Sequence, residues 1–250
     1  MLDCQPGKQC CIIDTISLVK LCRLELGNKR AIEWLLEDFC IFIPRKVFEE
    51  GRRNIKNVNV GKEAKAGNKY QKGKTPHRNI KNVSIHEERE DTKKFLKIAQ
   101  DCVHNGNMDA CIELISRCVQ EQKFKIDEGE KIAAALALKM SLVHRQFIIF
   151  LTDDFRAIEP LEKLLNIYKI GKVINSYDIL IFLLAHHPVE LKPEDVEIAL
   201  KGLTQLLRNN DMPAYEEQKP DDLLYEYLFK LEKYYTSQYL EELGYILIPD

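Results

Sequence analysis

Cys10-Cys11-Ile12-Ile13-Asp14-Thr15 sets four apolar residues in a row and then ends on a carboxylate. A run without polar alternation is the mark of a strand covered on both faces, as in a parallel sheet. The arrangement returns at Cys40-Ile41-Phe42-Ile43, closed by Pro44, and at Phe147-Ile148-Ile149-Phe150-Leu151, closed by Thr152-Asp153-Asp154. Lys172-Val173-Ile174-Asn175 is a weaker fourth run. Helical spacing lies between them. It is read at 15–26 (Ile16, Val19, Leu21, Leu24, stopped by Gly27-Asn28), at 30–39, and at 45–53 with Val47 and Phe48 inward. It continues at 87–120 with a break near 105–107, then at 130–140, 156–166 and 177–185. Strands alternating with helices predict an α/β protein, a three-layer sandwich with a central, mostly parallel sheet flanked by helices. An amphipathic helix at 193–208 and a helical, acidic end complete the chain. The expected division is a core over 10–190 and a helical C-terminal extension over 191–250.

At ~150 residues per domain, a chain of 250 residues has room for one large domain or a core with appendages. No apolar run exceeds the seven residues of 179–185, far below the ~18 that cross a bilayer. The first residues include Asp3, Cys4 and Pro6, where a secretory leader needs a basic start and an apolar stretch. A cytoplasmic protein without membrane contact is therefore expected. Eight cysteines in a chain of this size do not make a disulfide scaffold, and none forms a C-x-x-C pair of the zinc-site kind. Cys111 and Cys118, seven apart in a helical pattern, read as two core thiols on one face.

The net charge of −2 conceals a strong division. Residues 51–82 hold ten cations, among them Arg52, Arg53, Lys62, Lys65, Lys69, Lys72 and Lys74, against the single acid Glu63. That gives +9 on an otherwise acidic body, a pattern for a local polyanion contact. Arg53-Asn54-Ile55-Lys56-Asn57-Val58 recurs as Arg78-Asn79-Ile80-Lys81-Asn82-Val83, with a Gly/Lys-rich stretch between. Two copies are too few for a solenoid, so 54–85 reads as an inserted loop or β-ribbon. The last forty residues carry ten acids, three lysines and seven of the ten tyrosines. Tyr225, Tyr227, Tyr234, Tyr235 and Tyr239 suit packed contacts, by docking on the body, in a homodimer interface or against a partner.

Asp14, Asp153 and Asp154 each stand where an apolar strand gives way to a helix. Singly, each is explained as a helix N-cap, and Asp127-Glu128-Gly129-Glu130 has capping-box spacing. Together they mean more. All strand C-termini of a parallel sheet lie on one edge, where such folds place ligands. Carboxylates gathered there repel and raise one another's pKa, which implies a bound cation. Carboxylates with no His or Cys among them suit Mg²⁺ or Mn²⁺ rather than zinc.

Four segments in order resemble the acidic motifs of PIN-domain ribonucleases. They are Ile12-Ile13-Asp14-Thr15, then Ile43-Pro44-Arg45-Lys46-Val47-Phe48-Glu49-Glu50, then the stretch from Asp127-Glu128-Gly129-Glu130 through Ala137, then Leu151-Thr152-Asp153-Asp154-Phe155-Arg156. The resemblance covers roughly 10–190. It implies Asp14 as the first metal-binding acid, Glu50 (or its neighbour Glu49) as the second, Glu130 as the third with Asp127 assisting, and Asp153 or Asp154 as the fourth, with Thr152 a supporting hydroxyl. The activity implied is Mg²⁺- or Mn²⁺-dependent hydrolysis of RNA phosphodiester bonds. The basic insertion then becomes an RNA-tracking arm. The cellular roles implied are toxin of a toxin–antitoxin pair, with an antitoxin partner, or nuclease of RNA processing and turnover. The alternative is a non-catalytic PIN-like scaffold that binds RNA or protein. Two other acidic folds fit worse. Haloacid-dehalogenase phosphatases need an Asp where Ile16 stands, and response-regulator receivers need an acidic pair before Asp14, where Ile12-Ile13 stands.

Overall fold

The computed structural model describes residues 8–49, 93–94, 96–209 and 220–234. Five parallel strands form its sheet: β1 (Gln9–Ile13), β4 (Phe39–Pro44), β5 (Val103–His104), β6 (Ile148–Leu151) and β7 (Gly171–Ile174). Their order is β5-β4-β1-β6-β7, with Ile12 opposite Phe42 on one side and Ile13 opposite Leu151 on the other. The helices are α1 (Thr15–Arg23), α2 (Ala31–Asp38), α3 (Asp109–Gln122), α4 (Glu128–His144), α5 (Phe155–Tyr168), α6 (Ser176–His186), α7 (Pro193–Asn209) and α8 (Pro220–Tyr234).

Successive strand side chains point to opposite faces, and here both faces are covered. Cys11, Ile13, Ile41, Ile43, Ile149 and Leu151 share one buried cluster with residues of α1, α2, α6, α7 and α8. Cys10, Ile12, Phe42, Ile148, Phe150 and Val173 share a second with residues of α3, α4 and α5. This is why the strands read as apolar runs: each fully buried large side chain contributes ~1.5–3 kcal/mol, so both faces favour apolar residues at successive positions. The protein is α/β, with a central parallel sheet flanked by helices. Val47 and Phe48 pack inward from the helical residues 45–49 as expected. Cys118 is buried, and Cys111 packs against the same cluster.

Several expectations need correction. The helix expected over 15–26 ends at Arg23, because Glu25–Leu26 (β2) and Lys29–Arg30 (β3) pair as an antiparallel hairpin. Gly27 turns that hairpin at φ +60°, as a two-residue loop with glycine first requires. Trp34 Nε1 fastens it by donating to the Leu26 carbonyl at 3.0 Å. Of the apolar positions read in this helix, Leu21 and Leu24 are buried and Val19 packs on the core, but Ile16 is exposed, and Ser17, Leu18 and Lys20 are buried beside them. The break expected near 105–107 within 87–120 is present, residues 105–108 being non-helical, but the strand β5 just before it was not foreseen, since its two residues are too few to show a periodicity. The 190/191 boundary does not mark a break in packing. Val196, Leu200 and Leu203 of α7 and Leu223, Tyr227 and Leu231 of α8 belong to the same buried cluster as the sheet. Of the tyrosines expected to make packed contacts, Tyr227 docks on the body and is buried, Tyr225 is 73% exposed in the single chain, and Tyr235 and Tyr239 lie outside the described residues. Among the described residues no helix is long and apolar enough to cross a membrane.

Candidate active site

The chain leaves β1 for β4 and β5 on one side of it, then returns to β6 on the other. The crevice beyond the C-termini of β1 and β6 is therefore the sheet's switch point, where open α/β sheets bind their ligands. Asp14 follows β1 and Thr152-Asp153-Asp154 follows β6. The Asp14 amide donates to the Leu151 carbonyl at 3.0 Å, which carries the strand pairing one residue further and delivers both acids to one edge.

Within that edge the carboxylates have different jobs. Asp14 caps α1, its Oδ1 accepting the Ser17 amide at 2.5 Å. Its Oδ2 accepts the Thr152 hydroxyl and the Asp153 amide, the latter at 3.2 Å. The buried Thr152 oxygen in turn accepts the Asp154 amide at 3.1 Å. Asp153 turns inward and is 4% exposed. Its Oδ1 accepts the Ser176 amide at 2.8 Å. Its Oδ2 accepts the Ser176 hydroxyl at 2.7 Å and the Lys20 ammonium at 3.2 Å. Asp154 turns outward, caps α5 through Oδ1 on the Arg156 amide at 3.0 Å, and is partly exposed. The adjacent pair thus divides into an inner and an outer acid.

Glu130 arrives from the opposite helical layer, in the first turn of α4. It and Asp127 form the expected capping box: the Asp127 amide donates to Glu130 Oε2 at 2.7 Å and the Glu130 amide to Asp127 Oδ1 at 2.8 Å. Burial pushes the Glu130 carboxyl up to about 7 against the pull of that amide, and the charges of Asp127, Asp154 and Asp14 add to the rise. Asp14 is also raised, by burial first and then by Asp153, against the opposing hydrogen bonds of Thr152 and Ser17 and the charge of Lys20. Glu130 therefore feels the charges of both Asp14 and Asp154 across the crevice.

Glu49 is exposed and pairs with Arg45 at 3.1 Å. Glu50 and the basic residues Arg52, Arg53, Lys62, Lys65, Lys69, Lys72 and Lys74 lie outside the described residues. Among the described residues, no group of three or more His, Cys, Asp or Glu side chains stands ready-made around one point to hold a metal ion. His186 and His187 do not join the crevice; both ring nitrogens face Asp38 Oδ2, at 3.7 and 3.1 Å.

Three residues of the site escaped the sequence reading: Lys20, Asn175 and Ser176. The signal for Lys20 was present, since Ser17, Lys20, Leu21 and Leu24 follow the i, i+3, i+4, i+7 spacing of a core stripe. A lysine inside such a stripe needs a buried acid. Asn175 caps α6, accepting the Tyr177 and Asp178 amides, and sets Ser176 beside Asp153. No family model, curated protein or solved structure matches this chain.

Proposed function

We propose that this chain is a PIN-like, metal-dependent endoribonuclease whose site is the crevice between the ends of β1 and β6. The observation that carries the reading is the tie between Asp14 and Asp154, from two neighbouring strands, through the single hydroxyl of Thr152, with Glu130 charge-coupled to both. A helix cap needs one acid, and Glu130 here feels two others from across the crevice. The donor set is oxygen only, and burial first, then neighbouring carboxylates, raise the Glu130 and Asp14 carboxyls, which fits a hard divalent cation.

Asp14, Asp154 and Glu130 would hold that ion. When bound, Mg²⁺ or Mn²⁺ supplies an acidified water as nucleophile and countercharge for the phosphate. The chain's own residues do the positioning. Thr152 fixes the Asp14 carboxylate and the Asp154 backbone in one register. Asp153 fastens the end of β6 to the start of α6 and to α1. Glu130, near neutrality in its proton affinity, can hold or release a proton at the rim. The ten cations of residues 51–82 supply phosphate countercharge for an RNA strand.

A second reading has its own support: Asp14, Asp127 and Asp154 are all engaged as N-caps, as they would be in a non-catalytic PIN-like scaffold. The deciding experiment is incubation of a mixed RNA pool with the full chain in Mg²⁺, in Mn²⁺ and in EDTA, beside Asp154→Asn. Cleavage that requires the ion and is lost in the variant is the expected result. RNA retained but uncut in both ions favours the scaffold. Neither binding nor cleavage ends the nuclease reading and the RNA-binding form of the scaffold.

A further inference from the structure

Lys20 is 3% exposed, and its Nζ lies 3.2 Å from Asp153 Oδ2. An ammonium withdrawn from water is tolerated only where an anion and hydrogen bonds replace its hydration. Here the anion belongs to the acidic crevice itself. Asp153 touches Asp14 through its own amide, and the two carboxylates repel, while Lys20 acts on Asp14 in the opposite sense. Asp153 is also heavily engaged. Ser176 N, Ser176 Oγ and Lys20 Nζ occupy three of its about four lone-pair sites. A Mg²⁺ ion would need an oxygen at about 2.0–2.1 Å, and three protein donors already crowd this carboxylate.

We propose that the Lys20 ammonium is a built-in cation that occupies the place a second divalent ion could take beside Asp153, so that Asp153 is a positioning residue and the crevice takes one ion, on Asp14, Asp154 and Glu130. The single-ion part rests on the nuclease reading above; the pairing of Lys20 with Asp153 does not. The inward turn of Asp153 and the outward turn of its neighbour Asp154 follow from it: one acid closes on the lysine, and the other is left for the ligand.

Removing the ammonium while keeping its stem, as in K20M, leaves Asp153 buried and bare. A divalent ion should then take the vacated place. The double variant K20M/D153N removes the need for either, since an asparagine can accept from Ser176 N and donate to Ser176 Oγ.

The test is Mn²⁺ bound per chain, counted from the free-ion paramagnetic resonance signal, with melting curves in EDTA and in Mn²⁺, on the parental chain and both variants. The parental chain should bind one Mn²⁺. K20M should bind one more than the parental chain and melt lower in EDTA, recovering in Mn²⁺. K20M/D153N should return to the parental count and lose the recovery. If K20M is insoluble without metal, refolding in Mn²⁺ but not in EDTA supports the proposal, and failure in both while K20M/D153N refolds overturns it. Two ions on the parental chain, an unchanged count in K20M, or an extra ion retained in K20M/D153N would each overturn it. A parental count of zero would end the metal reading of Asp14, Asp154 and Glu130, and the difference between K20M and the parental chain would still decide the role of Lys20.

Discussion

The Thr152 hydroxyl donates to Asp14 Oδ2 across the β1–β6 pair. Thr152 lies one residue beyond the strand register that sets Ile13 opposite Leu151, so sheet pairing alone delivers the hydroxyl to the acid. Thr152→Val keeps the β-branched shape and removes both the donor to Asp14 and the acceptor for the Asp154 amide. The expected cost is about 1–3 kcal/mol, from one unpaired amide and one weakened carboxylate. RNA cleavage should fall together with stability. Urea melts and initial cleavage rates measured side by side check this, and a valine variant as stable and as active as the parental chain would make Thr152 a spectator.

Asp14→Asn should separate folding from chemistry. Asparagine is as good an N-cap as aspartate, and it removes the charge that burial and Asp153 oppose. The apo protein should therefore stay within about 1 kcal/mol of the parental stability, or exceed it, because lost repulsion offsets the weakened bonds. Cleavage in Mn²⁺ should drop by two orders of magnitude or more, on the order of 3 kcal/mol in the transition state. An unchanged rate would leave Asp14 as a helix cap and nothing else.

The strands were legible in the sequence because both faces of the sheet are buried, which writes Ile12-Ile13 and Ile148-Ile149-Phe150 as continuous apolar text. The hairpin at Gly27 and the two-residue β5 were not. Each is fixed by tertiary contacts, Trp34 on Leu26 and β5 on β4, that no local period encodes. Asp14, Thr152, Asp154 and Glu130 were legible as strand-end and helix-start positions. The separate fates of Asp153 and Asp154 were not, since they depend on Lys20 and Ser176, which lie 133 and 23 residues away from Asp153 in the chain.

Glu130 gives a pH dependence of definite sign. Its folded-state pKa of about 7 lies above the ordinary value of 4.5, so the folded state holds its proton more tightly than the unfolded chain. The contribution to stability is fully present below the unfolded value and is lost as pH rises through about 7. Asp14, also raised, acts in the same direction. The apo protein should lose stability between roughly pH 5 and 8, while Mn²⁺ affinity rises over the upper part of that range because the ion needs the carboxylate. Glu130→Gln keeps the capping box and should flatten both curves. Thermal melts without metal and Mn²⁺ titrations at several pH values read the two directions separately. A variant with the parental pH profile would remove Glu130 from the site.

Tyr227 tests whether the C-terminal helices belong to the fold. Its hydroxyl donates to Asp178 Oδ1 at 2.6 Å and accepts from Asn175 Nδ2 at 3.0 Å, while its ring lies 4.9 Å from that of Tyr177. Asp178 is half-buried, and this hydroxyl is among the groups that hold its carboxyl down against the upward push of burial. Tyr227→Phe leaves the ring in place and strips the donor, so the loss should be about 1.5–3 kcal/mol, the range for a hydrogen bond to a charged group. Because Asn175 precedes Ser176, and Ser176 holds Asp153, the loosened α6 start should also lower cleavage. Ending the chain after residue 190 removes Val196, Leu200, Leu203, Leu223, Tyr227 and Leu231 from the cluster that covers one face of the sheet. That truncation should not melt cooperatively. A 1–190 fragment with a sharp transition and parental activity would restore the boundary that the acidic, tyrosine-rich sequence suggested.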